Sequence, residues 1–374
     1  MRIAVLDHLS PGTIGKDPVQ IALGLQELGC DALFISMREV PDLPPLALPI
    51  VQLDTGDPDF WVSLQLDAVL FISRFAPGTE AICRQIKSAG IRLVLKADSD
   101  GTLGYPLVPN YLRTLDFLSS PLMTLVRNIK WRLPVRHFVA GKLDQTDLAD
   151  HIIFECPRSV NNVRQVMRYW KYDSALSRLH CIPNPVAASV FDHQVEPLRE
   201  RKILAVGRWE DELVKNTRAM CGAVRQFAEL QPDCQIELVG SGDDRLRHYL
   251  REMPPSVTVT GPLPQEEVFQ RMKSARSLLM PSRMESFGLA AAEALCLGCS
   301  IIVTPVESLD YLSAAGQTGS CAAGFRAGEI LAAMLQDFER WDSGFYDPAA
   351  IAAGWRDTLS RSRIARQILE LAAA

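Results

Sequence analysis

LLMPSRMESFGLAAAEALCLG, residues 278–298, carries the reading of the fold. Leu278–Pro281 is a short apolar run of the kind that forms a buried parallel strand. After a polar loop, an alanine-rich, nearly all-apolar segment begins near Gly288, and Gly298 supplies a helix stop. A strand that feeds a loop and then a helix is half of a βαβ unit. The new helix N-terminus offers unpaired N–H groups and the positive end of a dipole, which together attract an anion. Small residues there (Gly288, Ala290, Ala291, Ala292) let a phosphate come close. Glu285 precedes the helix and Glu293 lies on an early turn. An ionised carboxylate only accepts hydrogen bonds, so two of them beside an anion site serve sugar hydroxyls better than phosphate itself. Glu293 sits between Ala292, Ala294 and Leu295, which argues against a merely solvated charge.

Working outward, the same alternation fills the chain. Ile203–Val206, Gln235–Val239, Val257–Thr260 and Ser300–Val303 read as further strands, with helical patterns such as Thr217–Leu230 and Glu266–Ser274 between them. The N-terminal half repeats the theme with Ile3–Leu6, Ala32–Ile35, Ala68–Ile72, Arg92–Leu95 and His151–Phe154. Its first helix is expected over Pro18–Leu28, capped by Asp17 and ended by Gly29. The two prolines in Cys181-Ile-Pro-Asn-Pro-Val186 can continue neither a helix nor a central strand. Two α/β domains with doubly wound parallel sheets are therefore expected, over 1–184 and 185–348. A helical segment, 349–374, follows and is a candidate to pack back on the N-terminal domain. A length of 374 residues suits two domains.

In such sheets ligands gather at the carboxyl ends of the strands. Gly207 and Arg208 follow Ile203–Val206, with Lys215 close behind. The two cations suit a diphosphate, although either alone reads as an ordinary surface charge. Gly240 and Gly242 follow Gln235–Val239, where glycine permits close approach of backbone to a ligand. Thr304-Pro305 closes a fourth strand end.

Together these residues resemble the retaining GT-B glycosyltransferases of family 4, specifically from about Gly207 to Pro305. Glu285 and Glu293 match that family's E-x7-E pattern, with Ser286-Phe287-Gly288-Leu289 in its usual place. The resemblance implies that Glu285 contacts the donor sugar, Glu293 the nucleotide ribose, and Arg208, Lys215 and the backbone of Phe287, Gly288 and Leu289 the diphosphate. It also implies two Rossmann-like domains facing across a cleft, a nucleotide-sugar donor with UDP the family-level expectation, and a glycan or lipid-linked acceptor in cell-envelope synthesis. Neither a cofactor nor a metal is then needed, and no enzymic nucleophile. The family's Pro-Asn-Gly-Val hinge appears as Pro183-Asn184-Pro185-Val186, stiffened by Pro185.

The N-terminal half matches more loosely. Ser10-Pro-Gly12-Thr-Ile-Gly15 occupies the family's glycine-loop position without its adjacent glycine pair. Lys96-Ala-Asp98-Ser-Asp100-Gly101 crowds ionisable groups at a strand's end. Asp98 takes the family's catalytic position near the reacting centre, with a self-capped Asp-Gly turn the equal alternative. His8 lies just past the first strand, where it could edge the cleft. Residues 117–143 hold five Lys or Arg and no acid, interleaved with apolar residues and Trp131. That pattern reads as contact with an anionic membrane surface, as an ordinary packed helix, or as a grip on an anionic acceptor.

Composition narrows the classes. A formal net charge of −5 argues against a nucleic-acid partner. Nine cysteines, an odd number mostly in apolar runs, read as free thiols of a reducing compartment. Cys296-x-x-Cys299 has no second pair at zinc spacing and reads as packing. Residues 1–6 are too short for a signal peptide and no run approaches a membrane span, so a cytoplasmic protein, peripheral on the membrane's inner face if bound there, is expected. A GT-B epimerase or phosphorylase, or a non-catalytic nucleotide-sugar or protein-binding module, are the competing classes.

Overall fold

The structure is a computed structural model that describes residues 1–10, 13–39, 46–76, 78–103, 135–251 and 253–374, with 135–140 described in backbone only. The chain divides into two compact units, Met1–Ala187 with Leu359–Ala374, and Ala188–Thr358.

In the first unit seven strands run β1 (Arg2–Asp7), β2 (Asp31–Ser36), β3 (Ile50–Gln52), β4 (Ala68–Ser73), β5 (Arg92–Ala97), β6 (His151–Phe154) and β7 (Leu179–Cys181). They form one sheet in the order β3-β2-β1-β4-β5-β6-β7, every pair parallel. Side chains alternate between faces along a strand. Here both faces are apolar. Ala4, Leu6, Val69, Phe71, Leu93 and Leu95 enter one core with residues of the helices Thr79–Ser88 and Pro157–Trp170. Ile3, Val5, Leu70, Ile72 and Val94 enter another with the helices Asp17–Glu27 and Arg361–Ala373. Those two helices pack backbone to backbone. A Cβ on Gly24 would lie 2.7 Å from the Arg361 carbonyl oxygen, so a larger residue would push them apart.

The second unit holds β8 (Glu200–Val206), β9 (Gln235–Val239), β10 (Val257–Gly261), β11 (Ala275–Met280), β12 (Ser300–Val303) and β13 (Gly319–Cys321). Its order is β10-β9-β8-β11-β12-β13, again all parallel. Each sheet thus reverses direction beside its first strand, between β1 and β4 and between β8 and β11. That reversal opens a crevice at the strands' carboxyl ends.

Every strand expected from the sequence is present. β3, β7 and β13 are additional, each three residues long and at the edge of its sheet. The expected cap on the first helix is not there: Lys16 is the N-cap residue, without a side-chain bond, and Asp17 is the first helical residue. Residues 349–374 are two helices rather than one segment. Pro348–Thr358 lies in the second unit, and Ser360 caps Arg361–Ala373, which lies in the first. The passage between units falls at Ala187–Ala188, just past the two prolines.

Candidate functional site

The loop after β8 is built to present Lys215. A one-turn helix, Glu212–Lys215, ends at Asn216, whose φ of 55° lets the chain turn into the helix Thr217–Leu230. Asn216 is fully buried. It donates from Nδ2 to the Phe325 carbonyl at 2.9 Å and accepts from Arg283 Nε at 3.0 Å. The Arg283 amide donates to the Val214 carbonyl at 2.7 Å, which joins this loop to the one after β11.

Across that junction Lys215 Nζ lies 2.5 Å from Glu285 Oε1, with both side chains 15% exposed. Ser282 Oγ donates to the same oxygen at 2.7 Å, and Thr304 Oγ1 donates to the Ser282 carbonyl. The pair bridges the loops after β8 and β11, the reversal point of the second sheet. Arg208 is exposed, and its guanidinium has no partner among the described residues.

The helix Leu289–Cys296 begins four residues past Glu285. Gly288 is its N-cap with a φ of 91°, and no side chain caps the first N–H groups. A Cβ on Gly288 would come 2.6 Å from Leu309 Cδ2, so backbone angle and space both call for glycine. Phe287 is buried and anchors the turn. Glu293 accepts from Gln265 Nε2 at 3.2 Å. Burial pushes its carboxyl up to about 7, opposed by the Gln265 bond.

Gly240 and Gly242 serve the chain itself. A Cβ on Gly240 would sit 1.8 Å from the Gly207 carbonyl oxygen, and one on Gly242 would sit 2.3 Å from Leu246 Cδ2. The Gly240 contact lets the turns after β8 and β9 nest, and the Gly242 contact lets the turn pack on the helix Asp244–Leu250.

The first sheet's reversal point is also bridged by an ion pair. Asp7 ends β1 and Arg74 follows β4, with Arg74 Nη1 2.7 Å from Asp7 Oδ1. Arg74 Nε also reaches Asp98 Oδ2 at 2.9 Å. Asp98 and Asp100 therefore part ways. Asp98 joins this charged network, while Asp100 caps its own turn by accepting from the Thr102 amide and hydroxyl. Beneath them Lys96 and Glu155 are both 1% exposed, with Nζ and Oε1 3.7 Å apart, and Asn184 Nδ2 donates to Glu155 Oε1 at 2.8 Å. Burial raises the Glu155 carboxyl despite Lys96. Burial likewise pushes Asp17 up to about 6, with Lys96 opposing and Asp98 and Asp7 adding to the rise. His8 follows β1, and burial lowers its pKa.

Arg74, Asp7 and Glu155 were not singled out from the sequence. Each is among the first charged residues at or past the end of an apolar strand, a signal that was available. Gly15 has no positive φ. Gly12 lies outside the described residues, as does most of 117–143. Of that segment Lys142 turns inward, donating to the Leu103 carbonyl at 2.9 Å, and burial brings its pKa down to about 8. All nine cysteines are free, and Cys296 and Cys299 are buried. Among the described residues no group of acidic, His or Cys side chains is arranged to hold a metal, and no helix is long and apolar enough to cross a membrane.

The family-model match falls within the second unit. Residues 200–339 match the family model described as glycosyl transferases group 1. Phosphatidyl-myo-inositol mannosyltransferase of Mycolicibacterium smegmatis is 27% identical over 179 residues, 46% of either chain. D-inositol 3-phosphate glycosyltransferase of Paenarthrobacter aurescens is 30% identical over 125 residues, 31% of this chain and 30% of its own. The matches thus span less than half the length of these curated relatives. Among solved structures, sucrose-phosphate synthase of Thermosynechococcus elongatus superposes with a TM-score of 0.72 at 15% identity, covering 99% of this chain and 98% of that one. Anabaena HepE in complex with UDP gives 0.70 at 14% identity, covering 99% of each. With two doubly wound parallel sheets, these likenesses show the GT-B fold.

Proposed function

We propose that this chain is a retaining glycosyltransferase of family 4 that moves a sugar from a nucleoside-diphosphate sugar, UDP-linked in our reading, to a glycan or lipid-linked acceptor. The observation that carries the proposal is the meeting of Lys215 and Glu285 at the second sheet's reversal point, four residues before an uncapped helix N-terminus. Arg208, Lys215 and the helix amides grip the diphosphate, and Glu285 and Glu293 accept hydrogen bonds from sugar and ribose hydroxyls. As the glycosidic bond breaks, negative charge grows on the leaving diphosphate, where these preorganised donors stabilise it most. The departing phosphate oxygen takes the acceptor's proton on the same face, so no enzymic nucleophile is called for. We assign the first unit to the acceptor, with Asp98 near the reacting centre, oriented by Arg74.

Support for a nucleotide donor comes from the UDP-bound neighbour, and for glycosyl transfer from the inositol glycosyltransferases that part of this chain resembles. The latter also favour a polyol or lipid-linked polyol acceptor; a role in cell-envelope synthesis, at the membrane's cytoplasmic side, is our own reading. A thermal-shift screen with UDP, GDP, ADP and their sugars tests the donor assignment. At 100 times its dissociation constant a ligand stabilises by about 2.7 kcal/mol. No shift with any of them would overturn it.

A further inference from the structure

We propose that the Lys215–Glu285 ion pair makes the donor site selective for nucleotides that carry a sugar over the sugar-free nucleoside diphosphate, so that Glu285 acts against the reaction's own product. The inference rests on the donor-site reading above. Of the two cations after β8, Arg208 is unpartnered among the described residues and Lys215 is not. Its ammonium is held at 2.5 Å by Glu285, whose Oε1 also accepts from Ser282. Neither end of the pair swings away easily. Asn216 and Arg283 pin the Lys215 loop, and Thr304 pins Ser282.

A diphosphate must therefore share Lys215 with a carboxylate. Where the ligand has no sugar, the phosphates weaken the lysine's hold on Glu285 and leave a largely buried negative charge beside two more. Where the ligand carries a sugar, its hydroxyls donate to Glu285 and replace what the ammonium gave. The same residue is thus repulsive toward one ligand and satisfied by the other, which is selectivity by an unfavourable contact. After transfer the sugar has gone, and the carboxylate regains Lys215 as the nucleoside diphosphate departs.

Isothermal calorimetry on Glu285→Gln decides it, with UDP, GDP and ADP and the glucose and mannose conjugates of each. The bound nucleoside diphosphate is expected to gain about tenfold in affinity, while its sugar conjugate gains nothing, so the preference shrinks or inverts. Lys215→Ala combined with Glu285→Gln should show no such gain, because the gain works through Lys215. Ser282→Ala, which keeps the charge, should show none either. Should Glu285→Gln fail to fold, Glu285→Ala carries the same comparison. If a nucleoside diphosphate binds the wild type but Glu285→Gln binds it no more tightly, or if the gain survives removal of Lys215, this inference falls and the donor site stands. If none of the ligands binds either protein, the donor reading fails and this inference with it.

Discussion

The two sheets reverse in the same way, and each reversal point is bridged by one ion pair, yet the pairs leave different things behind. At the first, Arg74 is shared by Asp7 and Asp98, and Lys96, Asp17 and Glu155 lie just beneath. Acids there outnumber cations, and Arg74 is shared between two of them. At the second, Lys215 holds Glu285, but among the described residues Arg208 has no partner and no side chain caps the helix that starts at Leu289. One fold thus offers two crevices of opposite character: an acid-rich rim that accepts hydrogen bonds, and a rim with spare positive charge. The difference lies in the few residues after each strand, not in the sheets, and it is why our proposal puts the diphosphate at the second unit.

The sharpest way to break this contrast is to remove one cation from each rim. Lys215→Ala should abolish the nucleoside-diphosphate thermal shift, a loss of about 2–5 kcal/mol in binding, while Arg74→Ala leaves that shift intact. Equal losses in both variants would erase the division of labour. Next in size, Asp98→Asn should lower turnover by about 10²-fold with donor affinity unchanged, as for a group that positions the acceptor at the reacting centre. Steady-state kinetics separates the two quantities, and a donor KM that rises in step would instead place Asp98 on the donor.

Glycine geometry sharpens the contrast on a smaller scale. Gly288 combines a φ of 91° with a 2.6 Å clash awaiting any Cβ, whereas Gly15 has no positive φ. Gly288→Ala should cost about 1–3 kcal/mol of stability and Gly15→Ala well under 1, read from urea melts. This pair also shows where the sequence was legible. Around Gly288 strand, loop and helix are contiguous, so pattern, glycine and carboxylates point to the candidate site within twenty residues. At the first rim the partners come from four separate strand ends. Nothing local in Arg74 says that Asp7 and Asp98 will share it, because that meeting is made by strand order. Asp17 misled for a simpler reason: an acid before a proline looks like a cap, but the helix starts one residue earlier and takes Asp17 as its first residue. β3, β7 and β13 were missed because three residues at a sheet's edge carry too little alternation to stand out.

Glu293 gives the gentlest test, and its sign can be worked out. Its folded pKa of about 7 lies above the usual carboxylate range because burial disfavours the charged form. The unfolded chain ionises near 4.3. This residue's contribution to stability is therefore fully present below that value and declines as pH rises through about 7. Donor binding should run the other way. Ribose hydroxyls need an acceptor, so the bound state favours the carboxylate and pulls its pKa down. Donor affinity should then climb with pH up to about 7 and level off above it, by at most about tenfold per unit. Glu293→Gln should flatten that slope while raising the melting temperature at pH 8. Calorimetric titrations across pH 5.5–8.5 compare the two proteins. A slope that persists in Glu293→Gln would move the titrating group elsewhere, with the first rim's Asp17, raised to about 6, the next to examine. In that case the acid-rich crevice would be sensing the donor too, and the division between the two rims would have to be redrawn.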